Sequence, residues 1–265
     1  MKIGVADFVG FDFTPLDFLH FAKSLSVKYV EFKFDYPRFL EGISNFESRK
    51  TREALEADGI RAIVHLPHLD MNLASANPFV QSASEEALAK SILKAEELDA
   101  ELLVTHVGRL SKVYTSREAQ RARERATSSL RRLLEKAKAH NMKLTVENDR
   151  RSPNYAFAEL ADDLRAVADD VGCEVTLDIG HANTATTNLC GYVETLKGLV
   201  ANVHLHDNHG VADEHLALGK GSAMVDRALT KLKNVGYSGP LVLEVHSLSG
   251  VSASVASLLH ILKKI

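Results

Sequence analysis

Cysteine is almost absent from this chain of 265 residues. The two that occur, Cys173 and Cys190, are too few and too far apart for a disulfide framework or a thiolate zinc site. No apolar run approaches the ~18 residues of a spanning helix, which excludes a membrane partner. Charge of one sign is not in excess either. A formal net charge of −3 offers no general attraction to nucleic acid or anionic lipid, so DNA binding would need a local basic patch. The opening segment MKIGVADF starts directly on a strand, without an apolar targeting region or cleavage site, and a cytoplasmic protein is expected. The glycine-rich phosphate loop that follows the first strand of a dinucleotide-binding open sheet is missing, because the next segment reads VGFDFTPLDF. No linker, low-complexity stretch or composition break divides the chain, so residues 1–265 are read as one domain.

Short β-branched apolar runs alternate with longer amphipathic segments throughout. The runs are KIGVADF, YVEFKF, AIVHL, LLVTHVG, KLTVEN, EVTLDIG, VANVHLHD and PLVLEVH. Eight strand–helix units of about 33 residues each predict a single (β/α)₈ TIM barrel. The punctuation agrees: Thr14-Pro15 reads as an N-cap and first helical residue, and Gly59, Gly172 and Gly236 each stop a helix before the next strand.

Histidine is plentiful, with 12 in the chain, and several stand at strand ends rather than on helix faces. In such a barrel the C-terminal strand ends form the active site. There the sequence places His65, His106, Glu147, Asp178, His204 and Glu244 on six consecutive strands, three to eight. One strand-end histidine alone would be an ordinary hydrogen-bonded residue. Six imidazoles and carboxylates around one axis are costly to bury unless cations neutralise them, and this donor set suits zinc, manganese or iron. His181, three residues past Asp178, and the Asp213-x-His215 pair after strand seven add a further candidate position. His206 shares parity with His204 and is either its rival as ligand or a pocket residue; His246 likewise lines the pocket. Loop cations on the same face, Arg38, Arg109, Lys112, Arg150, Arg151 and Lys220, could hold a phosphate, with NDRRSPN the best single candidate.

The ordered set VHLPHLDMNLA, VTHVG, TVEN, TLDIGHAN, VHLHDNHGVADEHLALGKG and LVLEV resembles the xylose-isomerase-like barrel superfamily over essentially the whole chain. That superfamily holds sugar and sugar-phosphate isomerases and epimerases as well as endonuclease IV. The resemblance implies that Glu147, Asp178, His204 and Glu244 form the four-ligand metal centre of the ketose epimerases, with the two glutamates moving the proton. It also implies a three-zinc alternative, since all nine endonuclease IV positions are filled: His65, His106, Glu147, Asp178, His181, His204, Asp213, His215 and Glu244. Departures point away from that branch. Ile179-Gly180-His181 replaces a Thr-Cys-His type sequence, Glu214 replaces the arginine of Asp-Arg-His, and NDRRSPN replaces a glycine-rich turn. His68 stands where an aromatic DNA-probing residue is typical, with one extra residue before Asn72.

The expectation is therefore an isomerase or epimerase of a small sugar or sugar phosphate with two or three divalent ions, zinc or manganese. Glu147, Glu244 and His181 are the catalytic residues, and Arg150, Arg151, Lys220 and His206 contact substrate. The alternative is a phosphodiesterase acting at abasic sites, with DNA as partner.

Overall fold

The computed structural model describes residues 1–8, 10–11, 13–35 and 44–265. In chain order the strands are β1 (Lys2–Ala6), β2 (Tyr29–Lys33), β3 (Arg61–His65), β4 (Leu102–Thr105), β5 (Arg109–Leu110), β6 (Lys143–Glu147), β7 (Tyr155–Ala156), β8 (Glu174–Asp178), β9 (Val200–Leu205) and β10 (Pro240–Leu243). Eight of them close into a barrel in the order β1-β10-β9-β8-β6-β4-β3-β2, all neighbours parallel. The two-residue strands β5 and β7 pair antiparallel outside it, tying the loop after β4 to the loop after β6. The helices are α1 (Pro15–Ser24), α2 (Asn45–Asp58), α3 (Pro78–Glu97), α4 (Ser116–Ala139), α5 (Ala161–Val171), α6 (Ile179–Ala185), α7 (Leu189–Thr195), α8 (Val225–Asn234) and α9 (Leu248–Lys264). None of these described helices is long and apolar enough to cross a membrane.

Local chemistry sets the ends of these elements. Thr14 Oγ1 accepts from Asp17 N, and Asp17 Oδ2 accepts from Thr14 N, each at 3.1 Å, closing a capping box ahead of Pro15. Gly59 and Gly172 cap α2 and α5 in the left-handed conformation, with φ of 61° and 80°. Helix α4 turns small residues inward, Ala119, Ala122, Ala126 and Ala137 among them, which lets it lie close on the barrel.

Strand alternation then divides the core in two. Leu103, Val146, Leu177, Leu205 and Leu243 face the helices, whereas Tyr29, Ile63, Val104 and Val242 pack inside the barrel. Gly4 is part of that interior: a Cβ there would stand 2.8 Å from Tyr29 Cβ. Above this layer Thr145 and Thr176 share a hydroxyl hydrogen bond of 2.7 Å. Two residues further along each chain, the same inward parity that placed Ile63, Val104, Thr145, Thr176 and Val242 places His65, His106, Glu147, Asp178 and Glu244. The barrel's geometry, not its loops, aims most of the polar set at one axis.

Candidate metal centre

His65, Glu147 and Asp178 are the last residues of their strands, and His204 is the last but one of β9. His106 and Glu244 each stand one residue beyond a strand that the sequence pattern had extended through them. Glu147 is the hub. Its Oε2 lies 3.2 Å from His65 Nε2 and 3.3 Å from His106 Nε2, and its Oε1 lies 3.2 Å from His204 Nδ1. His204 Nδ1 is also 3.3 Å from Glu244 Oε1 and 3.9 Å from Asp178 Oδ2. Three groups result, each with its ligand atoms within 4.8 Å of one another: Glu147, Asp178, His204 and Glu244; His65, His106 and Glu147; and His181, His206, Asp213 and His215.

Four of the imidazoles, those of His65, His181, His204 and His215, are held as metal ligands are held, with one ring nitrogen anchored and the other aimed inward. His65 Nδ1 donates to Leu66 O at 2.8 Å, His181 Nδ1 to Asn148 O at 2.8 Å, and His215 Nδ1 to Glu244 O at 2.9 Å. His204 reverses the ring: Nε2 donates to Glu31 Oε2 at 2.8 Å, which leaves Nδ1 for the first group. Asp178 divides its oxygens. Oδ1 caps α6 by accepting from His181 N at 2.7 Å, while Oδ2 is buried with no hydrogen bond among the described residues. A buried carboxylate oxygen without a partner is destabilising, and a cation at that point removes the penalty. Spacing agrees too. Ligands at ~2.0–2.1 Å around a tetrahedral ion are about 3.3 Å apart, the separation seen around Glu147 and His204. The residues therefore fit divalent cations.

Electrostatics across the groups is mutual. Burial pushes the Glu147 carboxyl up, but His204 and His106 prevail and hold it well below the usual range. Glu244 is likewise held well below that range, with burial opposed by His204 and Lys33. His204 and His181 are driven well above the ordinary imidazole value against their burial, the first by Glu244 and Glu31, the second by Asp178 and Asp213. Both imidazoles are thus biased towards their protonated form by the carboxylates around them. Their contribution to stability is complete below about pH 6.5 and is lost as pH rises through the raised values. A cation must displace those protons. Zn²⁺ or Mn²⁺ binding at pH 7 is therefore expected to release protons, and affinity should rise with pH. Calorimetry in two buffers of different ionisation enthalpy measures this, and identical heats in both would contradict it.

A cavity of about 490 Å³ opens over the groups, lined by His65, His106, Glu147, His181, His215 and Glu244 together with Lys33, His68, Arg109 and Arg150. A family model for the xylose isomerase-like TIM barrel matches residues 19–264. The chain belongs to this family. Among its relatives, an uncharacterised protein of Methanocaldococcus jannaschii is 33% identical over 193 residues, covering 70% of this chain; the chain spans 64% of that relative's length. A probable endonuclease 4 of Mycobacterium tuberculosis is 26% identical over 78% of this chain and 82% of its own. The crystal structure of a D-tagatose 3-epimerase-like protein superposes with a TM-score of 0.89 at 27% identity, covering 100% of this chain and 98% of the other.

Within this xylose isomerase-like barrel the expected site residues are not all brought to the cavity. His206 does not touch the cavity. It is fully buried, with Nε2 at 3.2 Å from Asp178 Oδ1 and 3.4 Å from Asp213 Oδ1, among the donors of the third group. Arg151 and Lys220 are exposed and are not among the lining residues, whereas Arg109 and Arg150 are. Both rim arginines face carboxylates, Arg109 pairing with Asp149 at 2.8 Å and Arg150 lying 3.6 Å from Asp213. Arg38 falls outside the described residues. His181 is held by the first turn of α6, directly after β8, where Asp178 caps the helix. Gly180 makes this possible, since a Cβ there would sit 2.0 Å from His206 Cε1. Gly180→Ala is expected to push the His206 ring aside and weaken divalent-ion binding at least ~10-fold in a folded protein; unchanged binding by calorimetry would remove His206 from the site.

The sequence reading also passed over β2. Glu31, Lys33 and Asp35 alternate along YVEFKFD and all turn inward: Glu31 backs His204, Lys33 bonds Glu244, and Asp35 accepts from His68 N and Leu69 N at 2.8 Å each. The signal was there in the sequence. Glu31 and Lys33 at period two within a strand of a closed barrel share one face, and Asp35, two residues past the strand end, continues the same spacing.

Proposed function

We propose that this chain is a divalent-metal-dependent isomerase or epimerase of a small sugar or sugar phosphate. One observation carries the reading: Glu147 and Glu244 are both buried at the floor of one cavity and both approach His204 Nδ1, at 3.2 and 3.3 Å. They come from β6 and from just after β10, the two ends of the four-strand arc β6-β8-β9-β10. Two carboxylates at the ends of one arc suit removal of a proton and its return from another direction. A cavity of about 490 Å³ lies within the ~300–1,000 Å³ of small-molecule sites. The resemblance to the D-tagatose 3-epimerase-like structure supports the same class.

In this reading Glu147, Asp178, His204 and Glu244 would hold one zinc or manganese ion, which when bound would supply a positive charge to polarise a carbonyl and the neighbouring hydroxyl. One glutamate then takes the proton from the carbon between them. The C–H pair becomes the new C=C bond while the carbonyl pair moves onto oxygen. The other glutamate, after taking a proton from solvent or a substrate hydroxyl, delivers it to the opposite face, or the first returns its proton to the adjacent carbon; the C=C pair forms the new C–H bond and an oxygen pair re-forms C=O. His181, lining the cavity, donates to the oxygen that gains charge or ligates a second ion.

A second reading has its own observation. His65 and His106 form a separate group around the same Glu147, and the probable endonuclease 4 relative supports a phosphodiesterase acting at abasic sites, in which Glu147 would be shared by two ions that would supply the charge for hydrolysis. Metal analysis of the purified protein, paired with a ketose and aldose panel and with an abasic-site duplex, separates the two. Interconversion of a sugar without strand cleavage supports the first reading, and cleavage alone overturns it.

A further inference from the structure

The half of the cavity built by β2 contains a cation that neither reading uses. Lys33 lines the cavity, with its side chain 13% exposed. Its Nζ donates to Glu244 Oε1 and lies 3.9 Å from Glu31 Oε1. Glu31 Oε1 is buried and takes no hydrogen bond among the described residues, while Oε2 of the same carboxylate accepts from His204. An ammonium has three donors. In Lys33 one of them meets Glu244, and the others have no acceptor at hydrogen-bond distance among the described residues. They border the cavity beside the carboxylate group.

Resting on the isomerase or epimerase reading, we propose that Lys33 is a catalytic residue whose ammonium binds the substrate oxygen that becomes negative when the carbon-bound proton leaves. The ligand this selects is a polyhydroxylated carbonyl compound, with one oxygen between Lys33 and the Glu147–Asp178–His204–Glu244 group. Lys33 keeps its proton throughout: the proton lost from carbon goes to a glutamate, the carbonyl pair moves onto oxygen, and the fixed positive charge opposes that new negative charge in a site largely closed to water. Preorganised charge of this kind acts on the transition state more than on the ground state, so it appears in kcat rather than in KM. A lysine that only propped Glu244 would act through the ion instead.

The test uses the Mn²⁺-loaded protein, Lys33→Met and Lys33→Arg. With the sugar that the wild type turns over best, Lys33→Met is expected to lower kcat at least ~100-fold and to change KM less than ~3-fold. Lys33→Arg should recover at least ~10-fold of that loss. Mn²⁺ binding by calorimetry should be undiminished in Lys33→Met, because a repelling charge has been removed. Lys33→Met with kcat within ~5-fold of wild type, or with a loss matched by lost Mn²⁺, overturns the assignment. Acetohydroxamate, a small planar mimic of an enediolate, keeps the question open to measurement should no sugar react, an outcome that counts against the functional reading alone. Its binding to the Mn²⁺ protein, followed by electron paramagnetic resonance, should weaken at least ~10-fold in Lys33→Met, and equal binding also overturns the role.

Discussion

Glu147→Gln and Glu244→Gln are each expected to lower turnover at least ~100-fold, about 2.7 kcal/mol of transition-state stabilisation, in proteins that remain folded. The amide keeps the size of the side chain but can neither take the proton nor offer a charged ligand oxygen. The two variants should differ in metal content. Glu147 reaches His65 and His106 through Oε2 and His204 through Oε1, so its replacement weakens two groups together. Glu244 belongs only to the group of Asp178 and His204, and Lys33 also bonds it. Glu147→Gln is therefore expected to lose more metal than Glu244→Gln, while both lose the reaction. Steady-state kinetics alongside metal analysis decides the matter. Near-normal turnover with metal still bound would remove that glutamate from the chemistry.

The barrel was legible because its determinants are local and repeated. A two-residue alternation in each strand, an N-cap at Thr14 and left-handed glycines at 59 and 172 were enough to predict where strands and helices lie. The grouping of His65, His106, Glu147, Asp178, His204 and Glu244 followed from one rule of the fold, that strand ends converge at the C-terminal mouth. The rest depended on contacts the linear pattern does not contain. Parity placed His206 correctly on the inward face, but only the passage of α6 over it at Gly180 shows that it is sealed from the cavity. Arg151 and Lys220 stand close in sequence to site residues, yet the chain turns them outward; Arg151 instead anchors its loop through its backbone N–H to Thr184 Oγ1, at 2.8 Å. Glu31 and Lys33 on β2 carry no strand-end signal of the kind that marks strands three to eight, and only their contacts with His204 and Glu244 show that they belong to the site.

At least two divalent ions per chain are expected, with the third position filled only in part or only with substrate. The first position has four ligands from successive strands of one arc, all buried and all anchored by backbone that the barrel cannot easily shift. The second has His65, with its ring fixed by Leu66 O, and His106, both directed at Glu147 Oε2. Neither histidine is a donor of the first group, and both direct an imidazole nitrogen at the Glu147 oxygen that does not face His204, so a second ion would find its own donors there. The third depends on Asp213 and His215 in the loop after β9, and His215 adopts a left-handed backbone at φ 48°. That loop has to hold a strained residue in place without the support of a barrel strand, which makes its group the first to empty. Removing the ions with a chelator should abolish turnover, at least ~1,000-fold, because the carbonyl loses its polarising charge. Returning Mn²⁺ or Zn²⁺ should restore activity with a stoichiometry near two. Metal analysis by mass spectrometry, followed by calorimetric titration of the stripped protein, gives both numbers. One ion at full occupancy, with normal activity and with His65→Ala as active as wild type, would leave a one-metal enzyme and sink the multi-metal reading.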